Sequence, residues 1–162
     1  MIMAKRFSRL IDPDSIAFPM RASSKWEAIE ELVALLAARG KVTCTSELVE
    51  ATLKRESQGS TGIGQGIAVP HAKCEAVREL SVCLGLAQPA LEWEAIDGKP
   101  CDVIFLMAAP PGASGPHIQS LASLARLLKA TSLYDRILRA TSAHEAYQAL
   151  IEEENSLLAD SE

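Results

Sequence analysis

The stretch Gly59-Ser60-Thr61-Gly62-Ile63-Gly64-Gln65-Gly66-Ile67-Ala68-Val69-Pro70-His71 decides how this chain reads. Four glycines fall within eight residues, 59 to 66. Each costs more backbone entropy on folding than alanine, so such a cluster marks backbone that turns through positive φ or must approach another group closely. Successive amides in such a loop can also form an anion receptor. Ile67-Ala68-Val69 reads as a short buried strand. Pro70 ends it by removing a ladder donor and fixing φ. His71 comes next, so the order of residues places an imidazole at a rigid strand end beside amide donors.

The flanking sequence gives this loop a helix on one side and strands on the other. Ser24-Lys25-Trp26-Glu27 is a capping box, and Trp26, Ile29, Leu32, Val33 and Leu36 follow at helical spacing until Gly40. A second helix is predicted from Thr45 or Ser46 to Arg55 or Glu56, with Leu48, Val49 and Leu53 as its apolar members. It delivers Lys54-Arg55-Glu56 to the glycine loop. Beyond the loop, residues 80–87 and 102–109 read as strands, the second nearly all apolar, as expected when both faces are covered. Ile96-Asp97-Gly98-Lys99 marks a turn between them.

A Pro/Gly loop over 110–116 leads into a helix carrying Ile118, Leu121, Leu124, Leu127 and Leu128, with Pro116 in its first turn. A short helix over 133–138 follows. The last helix opens on the capping box Ser142-Ala143-His144-Glu145 and is expected to bury Tyr147, Leu150 and Ile151. Residues 1–22 read as an irregular lead-in with one edge strand near Ile16 to Phe18. Residues 1–14 and the acidic tail 153–162 are expected to be flexible, with fraying from Glu152. The fold class is therefore α/β: a single domain over 1–162 with a small mixed central sheet flanked by helices, in α/β/α layers.

Composition narrows the function. At 162 residues and 48% apolar, the chain can bury one full core. A net charge of −5 argues against a nucleic-acid partner. No apolar run reaches the ~18–20 residues of a membrane span. Met1-Ile2-Met3-Ala4-Lys5-Arg6 lacks the apolar stretch of a signal peptide. Cys44, Cys74, Cys83 and Cys101 lack C-x-x-C spacing and read as reduced thiols of a cytoplasmic protein. His71, Cys74 and His117 could be cast as metal ligands, but a zinc site needs three or four ligands and a closed second shell, so neither metal nor cofactor is expected.

The glycine loop is neither of the two common phosphate loops. No Gly-Lys-Ser/Thr ends it, and its G-x-G-x-G spacing precedes a strand, whereas the dinucleotide fingerprint follows one. By contrast, Arg55-Glu56-x-x-Gly59-Ser60-Thr61-Gly62-Ile63-Gly64-x-Gly66-Ile67-Ala68-x-Pro70-His71 closely resembles the phosphorylation-site signature of enzyme IIA domains of the fructose/mannitol class in the bacterial phosphotransferase system. Within that class it is most similar to the nitrogen-regulatory branch. The resemblance runs from the first capped helix to the last. Two positions depart from it: Gln65 stands where asparagine is frequent, and Ala72 where glycine is common.

The resemblance implies a phosphocarrier, a phosphotransferase component rather than a stand-alone enzyme, in which His71 accepts a phosphoryl group. The residues support that chemistry. A histidine with an ordinary pKa near ~6.5 is largely neutral at pH 7 and needs no separate base to act as nucleophile. Phosphoryl transfer needs in-line attack and stabilisation of charge on the equatorial oxygens. Ser60, Thr61, Gly62 and Gly64 are the expected phosphate-loop residues, and Arg55 the expected guanidinium fork. His117, at a helix start after a strand and a Pro/Gly loop, matches the family's second active-site histidine and is assigned a supporting role. His144 is read as a surface residue.

The implied donor is a phosphorylated protein of the HPr or nitrogen-type HPr kind. The implied recipients are regulated protein targets or a IIB component. The sequence carries no attached IIB or membrane IIC domain, which favours regulation over sugar transport. The alternatives are a sugar-specific IIA subunit that passes phosphate to IIB and, more remotely, a binding module that works without phosphorylation. A homodimer is kept among the expected assemblies.

Overall fold

The computed structural model describes residues 6–160. Its centre is strand β6 (Cys101–Ala109), whose side chains are almost wholly buried on both faces. It pairs antiparallel with β5 (Ser81–Leu91) and parallel with two short strands, β3 (Ile67–Ala68) and β4 (His71–Lys73). The outer positions are taken by β1 (Ile11–Ala17), parallel to β5, and β2 (Gly62–Gly64), antiparallel to β3. The sheet has six strands and is mixed, in the order β1-β5-β6-β3-β2 with β4 also on β6. The continuous apolar run of β6 and its two-sided burial are one fact seen twice.

Helices cover both faces. On one side α1 (Lys25–Ala38) and α2 (Thr45–Ser57) pack Ile29, Leu32, Val33, Leu36 and Leu48 against Cys83, Ile104, Leu106 and Ala108. On the other, α3 (Ser114–Ala130), α4 (Leu133–Arg139) and α5 (Ala143–Asp160) pack Leu124, Leu127, Ile137 and Leu150 against Leu84, Val103, Phe105 and Met107. Alternation along β6 sends odd-numbered residues 103, 105 and 107 to one layer and even-numbered 104, 106 and 108 to the other. The α/β/α sandwich expected from the sequence is the one observed.

Both capping boxes form. Ser24 Oγ accepts from the Glu27 amide at 3.2 Å, and Ser142 Oγ from the Glu145 amide at 3.1 Å. The two glutamates reach back one residue further than a simple box, to the Ser23 and Thr141 amides.

Several expectations change. The lead-in contains a 3-10 turn over Phe7–Leu10 and the seven-residue β1, because Phe7 and Ile11 are drawn into the core beneath α5. Residues 1–5, also read as lead-in, lie outside the described residues. The last helix does not stop at Glu152 but runs to Asp160, with Glu154 buried and accepting from the Ser8 hydroxyl at 2.5 Å. Residues 161–162 of the tail are outside the described residues. Trp26 is 45% exposed, and the buried tryptophan is Trp93. Ile118 faces outward, and Tyr147 and Ile151 are only half-buried. β5 continues past residue 87 to Leu91 through a register shift.

The turn between β2 and β3 explains its own composition. Gln65 sits in the left-handed region at φ 57°, and its amide donates to Asp97 Oδ2 at 2.9 Å. Asparagine tolerates that region better than glutamine does. Gly66 follows at φ 84°, and a Cβ there would strike the Tyr134 hydroxyl and sit 2.8 Å from Asp102 Oδ1. Those two groups are hydrogen-bonded to each other at 2.8 Å. Gly85 is also crowded, but by the flexible end of Met20. Gly66→Ala should therefore destabilise by about 2 kcal/mol or more, and Gly85→Ala by less, in denaturant melts of the two variants. Equal losses would show that the Tyr134–Asp102 contact yields as readily as a methionine tip.

Candidate functional site

The sheet, not the loop, places His71. The strand stops before Pro70 but the chain does not leave the sheet: the Pro70 carbonyl accepts from the Met107 amide at 3.0 Å, and a new strand, β4, begins with His71 opposite Met107. Residues 67, 69, 71 and 73 then alternate onto the α3 side, while Ala68 and Ala72 point into the α1–α2 core. The methyl of Ala72 is accordingly buried away from the imidazole.

His71 Nδ1 lies 2.9 Å from the Val69 carbonyl. A carbonyl oxygen only accepts, so Nδ1 carries the proton and Nε2 keeps the lone pair in the neutral ring. Burial lowers the pKa of His71 below its ordinary 6.5, and the Arg55 charge pushes the same way; the Val69 bond and Glu56 oppose them. The net effect favours the neutral nucleophilic form.

His117 reaches the same point from the first turn of α3. The two imidazoles meet edge to face, with ring centroids 5.4 Å apart. His117 is 5% exposed, and its Nε2 is buried without a hydrogen-bond partner. Burial, then His71 and Lys73, push its pKa down to about 4. A neutral imidazole with an unsatisfied nitrogen beside the His71 ring is a hydrogen-bonding group held in reserve.

Arg55, near the C-terminal end of α2, completes the group. Its guanidinium donates to the Gly59 carbonyl at 2.8 Å, which holds the side chain along the loop. Two adjoining hollows share Arg55, His71 and Leu121. One, of 240 Å³, adds Ser60 and Thr61; the other, of 540 Å³, adds Lys54, Lys73 and His117.

The loop residues divide. Ser60 and Thr61 face the hollow, but the Thr61 amide donates to Glu56 Oε2 at 2.8 Å, and its hydroxyl also bonds Glu56. The Gly62 amide donates to Ser60 Oγ at 3.1 Å. A Cβ on Gly64 would meet Asp97 and Ile96, and Gly64 does not line either hollow. The sequence thus brings together His71, His117, Arg55, Ser60 and Thr61, while the amides of Thr61 and Gly62 are already engaged.

Lys73 was not singled out from sequence. It shares a strand face with His71 two residues away, and its ammonium donates to Ser114 Oγ at 3.1 Å at the start of α3. The period-two alternation of β4 is the signal that could have found it, had the strand been read past Pro70. Cys74 Sγ accepts from the Ala76 amide at 3.4 Å. His144 is exposed in the first turn of α5, beside Arg136 and Arg139.

Comparison with known proteins supports this architecture. The crystal structure of nitrogen regulatory protein IIA-Ntr from Neisseria meningitidis matches with a TM-score of 0.82 and 29% sequence identity, over 90% of this chain and 99% of that one. The fold is thereby that of a IIA-type protein. The family model described as "Phosphoenolpyruvate-dependent sugar phosphotransferase system, EIIA 2" matches residues 9–153, and the chain belongs to that family.

A nitrogen regulatory protein from Bradyrhizobium diazoefficiens is 32% identical over 143 residues, 87% of this chain and 92% of that protein. The fructose-specific EIIABC component of Bacillus subtilis is 34% identical over 137 residues, 85% of this chain but 22% of the relative's own length. The chain thus spans about a fifth of that multi-component relative. Among the described residues, no helix is long and apolar enough to cross a membrane.

The two histidines should titrate apart. In ¹H–¹⁵N correlation spectra His117 should protonate near pH 4, and His71 somewhat below 6.5. Below pH 6.5 the unfolded chain takes a proton that folded His117 refuses, so His117 should make stability fall as pH drops from 6.5 toward 4. His117→Gln should remove that part of the slope in acid-range melts. A His117 midpoint near 6.5 would contradict the buried, unpartnered geometry.

Proposed function

We propose that this domain is a phosphocarrier whose His71 Nε2 accepts a phosphoryl group from a phosphorylated HPr-type or nitrogen-type HPr protein. In this reading it is a cytoplasmic component that signals to protein partners through its phosphorylation state. One observation carries the proposal: the Val69 carbonyl holds the Nδ1 proton of His71, which leaves Nε2 as the only ring nitrogen with a free lone pair.

The step balances without a separate base. The Nε2 lone pair attacks phosphorus in line, and the bond from phosphorus to the donor breaks with its electron pair going to the donor. The proton stays on Nδ1, donated to the Val69 carbonyl, which supports the positive character that develops in the ring. Arg55 and Lys73 face the equatorial oxygens with a fork and a point charge respectively. His117, neutral, offers the remaining hydrogen bond to a phosphoryl oxygen or to the His71 ring. Ser60 forms the opposite wall, its hydroxyl proton already donated to the Trp93 carbonyl.

Regulation is the favoured outcome because the Bradyrhizobium nitrogen regulatory relative is covered over 92% of its length. The second reading, a IIA unit that passes phosphate to a IIB component, is supported by the match to about a fifth of an EIIABC chain and to a fructose-specific EIIA component covered over 84% of its length.

Incubation with a ³²P-labelled HPr-type protein should give an acid-labile, base-stable label on His71, lost in His71→Ala. Full labelling of that variant would overturn the assignment. His117→Ala should still label at His71, more slowly, and label found chiefly in the His117 peptide would reverse the two roles.

Arg55→Ala should slow transfer by about 10²–10³-fold, the scale of losing one positioned donor, with little change in the melting temperature. Arg55→Lys should not restore the rate, since an ammonium lacks the fork. Normal transfer by both variants would leave Arg55 a helix-end residue bonded to Gly59 and nothing more.

A further inference from the structure

Behind the loop that faces His71 lies a buried ion pair that the phosphocarrier chemistry does not use directly. Lys25, the first residue of α1, places its ammonium 3.0 Å from Glu56 Oε2, and the two side chains are 8% and 0% exposed. Burying two charges costs more than burying apolar groups of the same size unless their remaining bonds are also satisfied. Here they are. The Lys25 ammonium also donates to the Trp93 carbonyl at 3.1 Å, and the Glu56 carboxylate accepts from both the Thr61 amide and the Thr61 hydroxyl.

The network continues to the wall of the site. Ser60 Oγ donates to the same Trp93 carbonyl at 2.9 Å, the Gly62 amide donates to Ser60 Oγ, and Trp93 Nε1 donates to Thr61 Oγ1 at 3.4 Å. Ser60 and Thr61 in turn line the hollow with Arg55 and His71. Glu56 is the residue after Arg55, so one carboxylate fixes both the end of α2 and the loop it meets. Its charge also reaches His71, where it acts to raise the imidazole's pKa.

We propose that the Lys25–Glu56 pair is a positioning device for phosphoryl transfer. Glu56 holds residues 60–61 and the Arg55 turn in register with His71. Lys25 cancels the Glu56 charge, so that no bare carboxylate stands behind the place where a dianionic phosphoryl group arrives. The inference rests on the reading of His71 as phosphoryl acceptor. Its two halves make different demands: the scaffold needs Glu56 as an acceptor, and the electrostatics need Lys25 as its counter-charge.

The test compares Lys25→Met, Glu56→Gln, the double variant Lys25→Met/Glu56→Gln and Thr61→Val. It reads His71's pKa by ¹H–¹⁵N correlation and transfer from a ³²P-labelled HPr-type protein. Lys25→Met exposes His71 to an unpaired anion, so its pKa should rise and transfer should slow by about 10- to 100-fold. Glu56→Gln should lower that pKa. The double variant, neutral again, should bring the pKa back to the wild-type value and recover most of the rate.

Thr61→Val leaves no charge unpaired and so gives a folded comparison if Lys25→Met does not fold. It should slow transfer with the His71 pKa unchanged. A purely structural pair predicts rates that follow melting temperature and one His71 pKa in every folded variant, and that result would overturn the proposal. If wild type takes no label, the phosphocarrier reading fails, and the titrations alone decide whether the pair acts on His71.

Discussion

The structure is organised by the pairing of one buried strand. β6 accepts β5 on one edge and the broken pair β3 and β4 on the other, and it supplies the amide that captures Pro70's carbonyl. Without that bond, Pro70 would release the chain to solvent at the residue before the histidine. With it, His71 is set opposite Met107 on a strand whose neighbours are almost wholly buried. The Val69 carbonyl, two residues back and on the same face, then lies within reach of Nδ1. A tautomer is thereby chosen by sheet register, with no carboxylate partner involved.

Much of this was legible in the chain. The capping boxes at Ser24 and Ser142, the apolar run of β6 and the glycine cluster before Pro70 are local signals, and local physics governs their outcome. His71, Arg55 and His117 were legible through the long signature around Pro70-His71. They do converge, because α2 and α3 both end or begin at the β4 end of the sheet.

What was not legible depends on partners distant in sequence. The return of the chain to β6 after Pro70 depends on a strand more than thirty residues further on. Phe7 and Ile11 look unremarkable in a mixed segment until α5 covers them. Glu154 sits in an acidic stretch that reads as a solvated tail, yet its carboxylate is bonded to Ser8. Lys25 is one lysine in a helix start, and only Glu56 and the Trp93 carbonyl distinguish it. The partners of the Thr61 and Gly62 amides were not legible for the same reason, since glycine content signals available amides but not who takes them. The groups left facing the hollow are side chains: Arg55, Lys73 and the unsatisfied nitrogen of His117.

The site is thus built from neutral imidazoles and paired charges. Burial holds both histidines toward the uncharged form, Lys25 cancels Glu56, and the free positive charge near the hollow is on Arg55, Lys54 and Lys73. Such a balance favours an arriving dianion without holding it as tightly as a fully cationic pocket would. That is a useful property in a carrier that must also give the group away. The most direct measurement is the nitrogen on which the phosphoryl group sits, read from ³¹P–¹⁵N couplings and long-range ¹H–¹⁵N correlations of the phosphorylated protein. The Val69 bond requires phosphorus on Nε2 of His71 with the proton kept on Nδ1. Phosphorus on Nδ1 would contradict the account at its centre.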